Sequence, residues 1–178
     1  MVVSNRLRRE GNRRLKLVSY ASPMISIRTA TRTDADAIAR LVNTAFLVEQ
    51  FFIERDRTNP ATVRSLMETG KFLLAEEAPN LVGCIFMELR AERGYFGMLS
   101  IDPSRQGMGV GHQLVDAVEK YFRSAGCKFS DLKIVNLRTD LHTLYHRWGY
   151  ADAGTAVYDD PTPTKIPVHF ILMSKPLL

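Results

Sequence analysis

The stretch Tyr95-Phe96-Gly97-Met98-Leu99-Ser100-Ile101-Asp102-Pro103-Ser104-Arg105-Gln106-Gly107-Met108-Gly109-Val110-Gly111 reads as a strand, a proline-marked stop, a glycine-dense loop and the start of a helix. Gly107, Gly109 and Gly111 alternate directly after Arg105 and Gln106. With so few side chains, backbone N–H groups lie open. The helix start adds N–H groups without intrahelical partners and the positive end of the helix dipole. Together they make a seat for phosphate oxygens, so the pattern predicts a ligand carrying a pyrophosphate.

Two phosphate loops fail against these residues. A P-loop closes on Lys-Ser or Lys-Thr, and here Gly111 is followed by His112 and Gln113. A dinucleotide loop needs G-x-G-x-x-G. Gly107 and Gly109 begin it correctly, but its last position is His112, and Asp131 alone stands near the place of a ribose-binding acid. The segment Gln106-Gly107-Met108-Gly109-Val110-Gly111 fits a third pattern, Q/R-x-x-G-x-G/A.

That pattern resembles the acetyl-CoA loop of the GNAT superfamily of N-acetyltransferases. The preceding strand, with Leu99, Ile101 and Pro103, is similar to the superfamily's central strand. Leu144-Tyr145-His146-Arg147-Trp148-Gly149-Tyr150 resembles its L-Y-x-x-x-G-F/Y helix end, and the tail from His169 to Leu177 its last strand. The resemblance spans residues 24–178 and sets residues 1–23 apart as an extension.

The resemblance implies an enzyme moving an acetyl group from acetyl-CoA directly to an amine of a small molecule or peptide. Backbone amides across Gln106, Gly107, Met108, Gly109, Val110 and Gly111 would hold the CoA pyrophosphate, with Arg105 or Gln106 orienting it and His112 completing the cofactor-binding set. Backbone groups of Met98, Leu99, Ser100 and Ile101 would hold pantetheine and the thioester carbonyl, where an N–H stabilises the oxyanion. Tyr145 would protonate the departing thiolate. From spacing alone Tyr145 reads as a core aromatic, because Leu141, Leu144 and Trp148 share its helical face; the family motif is what gives it a catalytic role. The chain departs from the family's usual pattern at Arg138 and Leu141, where Asn and Ala are common. No general base stands out among Glu49, Glu54, Glu88 and Asp102, which read as solvated carboxylates. A rival of another class is a non-catalytic acyl-CoA sensor on the same fold. Dimers are common in the family, though nothing in the sequence specifies an interface.

Composition narrows the field. The net charge of +5 resides in residues 1–23, which hold six basic residues and one acid; residues 24–178 hold 18 of each sign. The charge count therefore does not support a nucleic-acid face on the domain. The tail reads as a basic arm for a polyanion, as an Arg-rich targeting segment, or as an extension without a role, and we expect the last, loosely ordered. No apolar run reaches the ~20 residues of a membrane helix. Cys84 and Cys127 have no disulfide or metal spacing and suit a reducing cytoplasm. An acetyl group could in principle be carried on either thiol, but packing is the expected role. His142 and His146 stand at i, i+4, a zinc-pair spacing, but Thr143 takes the place of an HExxH glutamate. They read as solvent-facing, and no metal is expected.

Along the chain, Ile25 to Arg28 reads as a strand and Thr33 opens a helix. A second helix runs from Pro60 to Glu68. Strands follow at Lys71–Glu77, Leu81–Arg90 and Tyr95–Asp102 as an antiparallel meander. After the helix from Val110 to Gly126, a strand at Asp131–Leu137 is expected parallel to Tyr95–Asp102. A helix over Asp140–Trp148 and strands near Thr155–Asp159 and Val168–Ser174 complete it. The fold class is α/β (α+β), a mixed, mostly antiparallel sheet of about seven strands with helices on both faces. The family resemblance adds a splayed central parallel pair.

Overall fold

A computed structural model describes residues 24–177. The basic extension 1–23 lies outside them. The strands are β1 (Ser26–Thr29), β2 (Lys71–Glu77), β3 (Asn80–Arg90), β4 (Arg93–Ile101), β5 (Phe129–Val135), β6 (Ala151–Val157) and β7 (His169–Pro176). The helices are α1 (Ala35–Ala45), α2 (Pro60–Thr69), α3 (Val110–Ser124) and α4 (Thr139–Arg147). One seven-stranded sheet has the order β1-β2-β3-β4-β5-β7-β6. Every neighbouring pair is antiparallel except β4–β5, the parallel pair the intervening helix requires.

Alternation along the strands divides the core between two faces. On β2, Phe72 and Leu74 pack under α1 and α2, while Leu73 and Ala75 pack under α3. In α1, Ala35, Ile38, Ala39, Leu41 and Val42 form the buried stripe. The helix expected to open at Thr33 begins at Ala35, and Thr31 caps the 3-10 turn Arg32–Asp34 before it. Asp34 Oδ2 accepts the Thr31 backbone N–H at 2.7 Å, and a short 3-10 turn precedes the helix. Asn59 caps α2, accepting the Thr62 N–H at 2.9 Å, with Pro60 at the first helical position.

In α3, Val110, Leu114, Val115, Val118 and Phe122 face the sheet. Gly94 of β4 has no room for a side chain, because a Cβ there would lie 2.3 Å from the Phe122 ring. The buried Glu119 accepts from Lys175 at 2.8 and 3.0 Å and from the Tyr150 hydroxyl at 2.9 Å. Tyr150 also bonds Ser130, so one carboxylate ties α3 to β5 and β7. The edge strand β6 begins at Ala151, four residues before the expected Thr155. Its residues are almost all exposed, so no apolar alternation announces it.

The central feature is where β4 leaves β5. Only Arg93↔Phe129, Gly94↔Ser130 and Tyr95↔Asp131 are paired. Just beyond, the β3–β4 register shifts: Phe86 faces Gly97, but Cys84 faces Ser100. β4 therefore carries one extra residue, and Met98 takes a φ of 50°. Such a bulge bends its strand and increases its twist. Beyond Tyr95 the two strands separate and leave a gap in the sheet.

Candidate active site

The gap opens into a cavity of about 680 Å³. One wall is the loop and helix start, with Arg105, Gln106, Gly107, Gly109, Val110, Gly111 and His112. Leu99 and Ile101 of β4 form the floor. Leu137, Arg138, Asp140, Leu141, Leu144 and Trp148 form the opposite wall, and Ala45, Phe46, Val48 and Phe51 the mouth.

The loop's backbone explains its glycines. Gly107 and Gly109 have φ of 76° and 82°, and a Cβ at either would meet no atom within 4 Å. The conformation demands glycine, and the space in front of it is open. The first bond of the α3 ladder runs from Gln113 N–H to Gly109 C=O at 3.1 Å. The amides of Val110, Gly111 and His112 therefore precede the ladder and face the cavity wall without intrahelical partners. This is the arrangement that takes an anion.

The side chains divide less evenly than their backbones. Leu99 and Ile101 face the cavity, whereas Met98 packs with the α1 cluster and Ser100 is buried beside Cys84. Met108 points outward, 62% exposed. The Arg105 guanidinium is ion-paired with Glu77 while its residue lines the wall. The His112 ring stands edge-on to Trp148, with Nδ1 3.2 Å from Asp116.

Tyr145 lies in the main core cluster, 5% exposed, in edge contact with Tyr150 and Trp148 and near Phe96. Its neighbours Leu141, Leu144 and Trp148 reach the cavity surface; Tyr145 sits behind them. Burial pushes its phenol well above the ordinary range, Arg138 pulling it down and Tyr95 pushing it up. It is fully protonated at neutral pH.

Of the four carboxylates considered as bases, Glu49 is not a solvated one. It is 3% exposed, its Oε1 accepting from Arg138 Nη1 at 2.8 Å and its Oε2 buried without a partner among the described residues. Burial holds its carboxyl above the usual range, against the pull of Arg57 and Arg138. Glu88 is paired with Arg90, and Asp102 caps the turn after β4, its carboxyl lowered by bonds from Ser104. Among the described residues Asp140 is the carboxylate in the cavity wall. Arg138 bonds both its oxygens and holds it below its ordinary range, which makes it a poor base.

Arg138 is the residue the sequence least advertised. It stands where the family commonly has Asn, yet it joins Glu49, 89 residues earlier in the chain, to the start of α4. Neither thiol is a plausible acyl carrier. Cys84 is fully buried and burial pushes its thiol up to about 12; burial also raises that of Cys127.

Comparison with known proteins agrees with this geometry. Residues 36–150 match the model of the acetyltransferase (GNAT) family. An IAA acetyltransferase of Azospirillum brasilense is 28% identical over 109 residues, 60% of this chain and 68% of that protein. A mycothiol acetyltransferase of Propionibacterium freudenreichii is 30% identical over 92 residues, 49% of this chain but 30% of that longer protein. The ribosomal-protein-S18-alanine N-acetyltransferase of Escherichia coli superposes with a TM-score of 0.71 at 18% identity, covering 86% of this chain and 94% of its own. The yncA protein of Salmonella typhimurium, solved with its cofactor acetyl-CoA, superposes with a TM-score of 0.65 at 19% identity, over 86% and 94% of the two chains. A sheet parted between β4 and β5, a glycine loop at the gap and a family match over most of the chain lead to one assignment: the chain belongs to the acetyltransferase (GNAT) family and is an acyltransferase.

Proposed function

We propose that this acyltransferase moves the acetyl group of acetyl-CoA directly onto an amine of a small molecule or peptide. The observation that carries this reading is the row of unpartnered amides at the start of α3, facing a cavity where β4 and β5 part. Acetyl-CoA supplies the acyl group as a thioester. The amides of Val110, Gly111 and His112, behind the open glycine loop, hold its pyrophosphate, while the Arg105 and Met108 amides are taken by the Asp102 and Arg105 carbonyls; the backbone of Met98 to Ile101 aligns its pantetheine arm and polarises the thioester carbonyl. Holding both reactants in one gap provides the proximity advantage.

The acceptor enters past Phe46, Val48 and Phe51, so the mouth favours an amine with an apolar portion. As the amine nitrogen bonds to the carbonyl carbon, the C–S bond breaks. Tyr145, whose buried phenol is protonated, donates its proton to the departing sulfur, and the proton shed by the amine nitrogen as the amide forms passes through water to restore the phenol. The buried Glu49–Arg138 pair fastens the segment after α1 to the start of α4 and so fixes the mouth relative to the acid.

Calorimetry with acetyl-CoA, followed by thiol release across small amines, polyamines, amino acids and peptide N-termini, tests the reading. Saturable binding with amine-dependent thiol release is expected. Binding without release from any amine would defeat the transfer reading, and no binding would defeat the assignment of the loop.

A further inference from the structure

Outside the cavity, α4 and β6 bring together His142, His146 and Asp152. His142 Nε2 lies 2.8 Å from Asp152 Oδ1, and His146 Nε2 lies 3.1 Å from the same oxygen. The two Nε2 atoms are 3.1 Å apart. The rings stand edge-on to one another at 84°. Three donor atoms from two elements thus form a nearly equilateral triangle.

Protons alone serve this triangle poorly. If both Nε2 atoms carry hydrogen, the two N–H groups crowd each other on the way to one oxygen. If one carries hydrogen, a single proton must serve two acceptors. A cation satisfies all three lone pairs at once. Tetrahedral zinc with bonds of ~2.0–2.2 Å has ligand–ligand edges of about 3.3–3.6 Å. The edges of 3.1 Å would open by about 0.2–0.5 Å and that of 2.8 Å by about 0.5–0.8 Å. Two imidazoles and one carboxylate suit a borderline divalent ion, and three protein ligands leave the fourth position for water.

The backbone also builds toward this point. The β6–β7 register shifts between Asp152 and Gly154, so Ala153 is an extra residue immediately after the carboxylate. Bulges of this kind re-aim neighbouring side chains. On α4, the i, i+4 spacing puts both histidines on one face, and Leu141, Leu144 and Trp148 turn toward the cavity.

We propose that His142, His146 and Asp152 bind one zinc-class divalent cation that fastens α4 to the edge strand. None of the three lines the cavity, so the ion is a tie between elements outside the cavity wall.

The test uses the full, untagged chain stripped with chelator. Zn²⁺ is titrated by calorimetry, with metal content measured after dialysis and melting followed in parallel. One ion per chain and a rise in melting temperature are expected, since a ligand of the native state stabilises it. Cobalt should bind with the absorption of a tetrahedral site. His146→Ala and Asp152→Asn should each weaken binding by at least about 100-fold, more than loss of an outer-shell partner does. His169→Ala should bind as the parent does. All three ligands are at least partly exposed, so the variants should fold, which metal-free melting checks. No saturable binding by the parent chain would overturn the proposal, as would undiminished binding by a His142→Ala/His146→Ala double variant.

Discussion

Gly109 and Gly94 make a matched pair of perturbations. At Gly109, alanine meets no protein atom within 4 Å, but its φ of 82° is left-handed. That conformation costs an L-residue roughly 1–2 kcal/mol. For a chain of this size the melting temperature should fall by about 2–8 °C, leaving the protein folded. The added methyl group projects in front of the amides proposed to hold the pyrophosphate. A charge-assisted hydrogen bond contributes roughly 1.5–3 kcal/mol, so losing one should weaken acetyl-CoA binding about 10- to 150-fold. Gly94→Ala inverts the outcome. Its Cβ would lie 2.3 Å from the fully buried Phe122 ring, against ordinary contacts of ~3.5–4.0 Å. Overpacking of about 1–3 kcal/mol or more should lower the melting temperature at least as far, while the folded fraction binds normally. Calorimetry and thermal melts on both variants read the two effects separately. Parent-like affinity in a folded Gly109→Ala variant would refute the placement of the phosphate.

Tyr145→Phe keeps the packing against Phe96, Tyr150 and Trp148. It should lower turnover by roughly 100-fold or more with little change in acetyl-CoA affinity or melting, measured by thiol release; unchanged turnover would remove Tyr145 from the chemistry. The Arg28 guanidinium, bonded to both oxygens of Asp34 at 2.8 and 2.9 Å, holds that carboxyl well below its ordinary range. A carboxyl depressed in the native state adds stability above its unfolded value of about 3.9, and that stability is lost as pH falls toward the native value. The stability difference between the parent and Asp34→Asn should therefore be largest above pH ~4 and shrink on acidification below it; a constant difference would contradict the ion pair. Finally, Cys84 should resist alkylation in the native protein at neutral pH and react on unfolding, because burial pushes its thiol up to about 12; rapid native labelling there, located by mass spectrometry, would argue against its burial.

What could be read directly from the sequence was local. The glycine loop, the caps and stops of Pro60 and Gly149, and the meander of β2, β3 and β4 depend on residues near one another in the chain. The parallel β4–β5 pair follows from the helix between its strands. What escaped depends on distant partners. Glu49 looks like any acid in a mixed segment until Arg138 arrives across 89 residues to bury it. The histidine pair on α4 was visible, but its third member is re-aimed by a bulge that no residue pattern announces. The start of β6 escaped for a related reason. An exposed edge strand has little to bury, so Ala151-Asp152-Ala153-Gly154 lacks the alternation that marks an inner strand.

The short β4–β5 pairing divides the sheet mechanically. With three registered residue pairs at the joint, β1 to β4 form one plate and β5, β7 and β6 another. Helix α3, anchored to the second plate through Glu119, spans them like a strap. A molecule seated in the gap with its own amides and carbonyls would act as a temporary strand, supplying cross-links that the polypeptide omits. Occupancy would then govern how far the two plates fluctuate independently, making the substrate a contributor to the cooperativity of the fold that receives it.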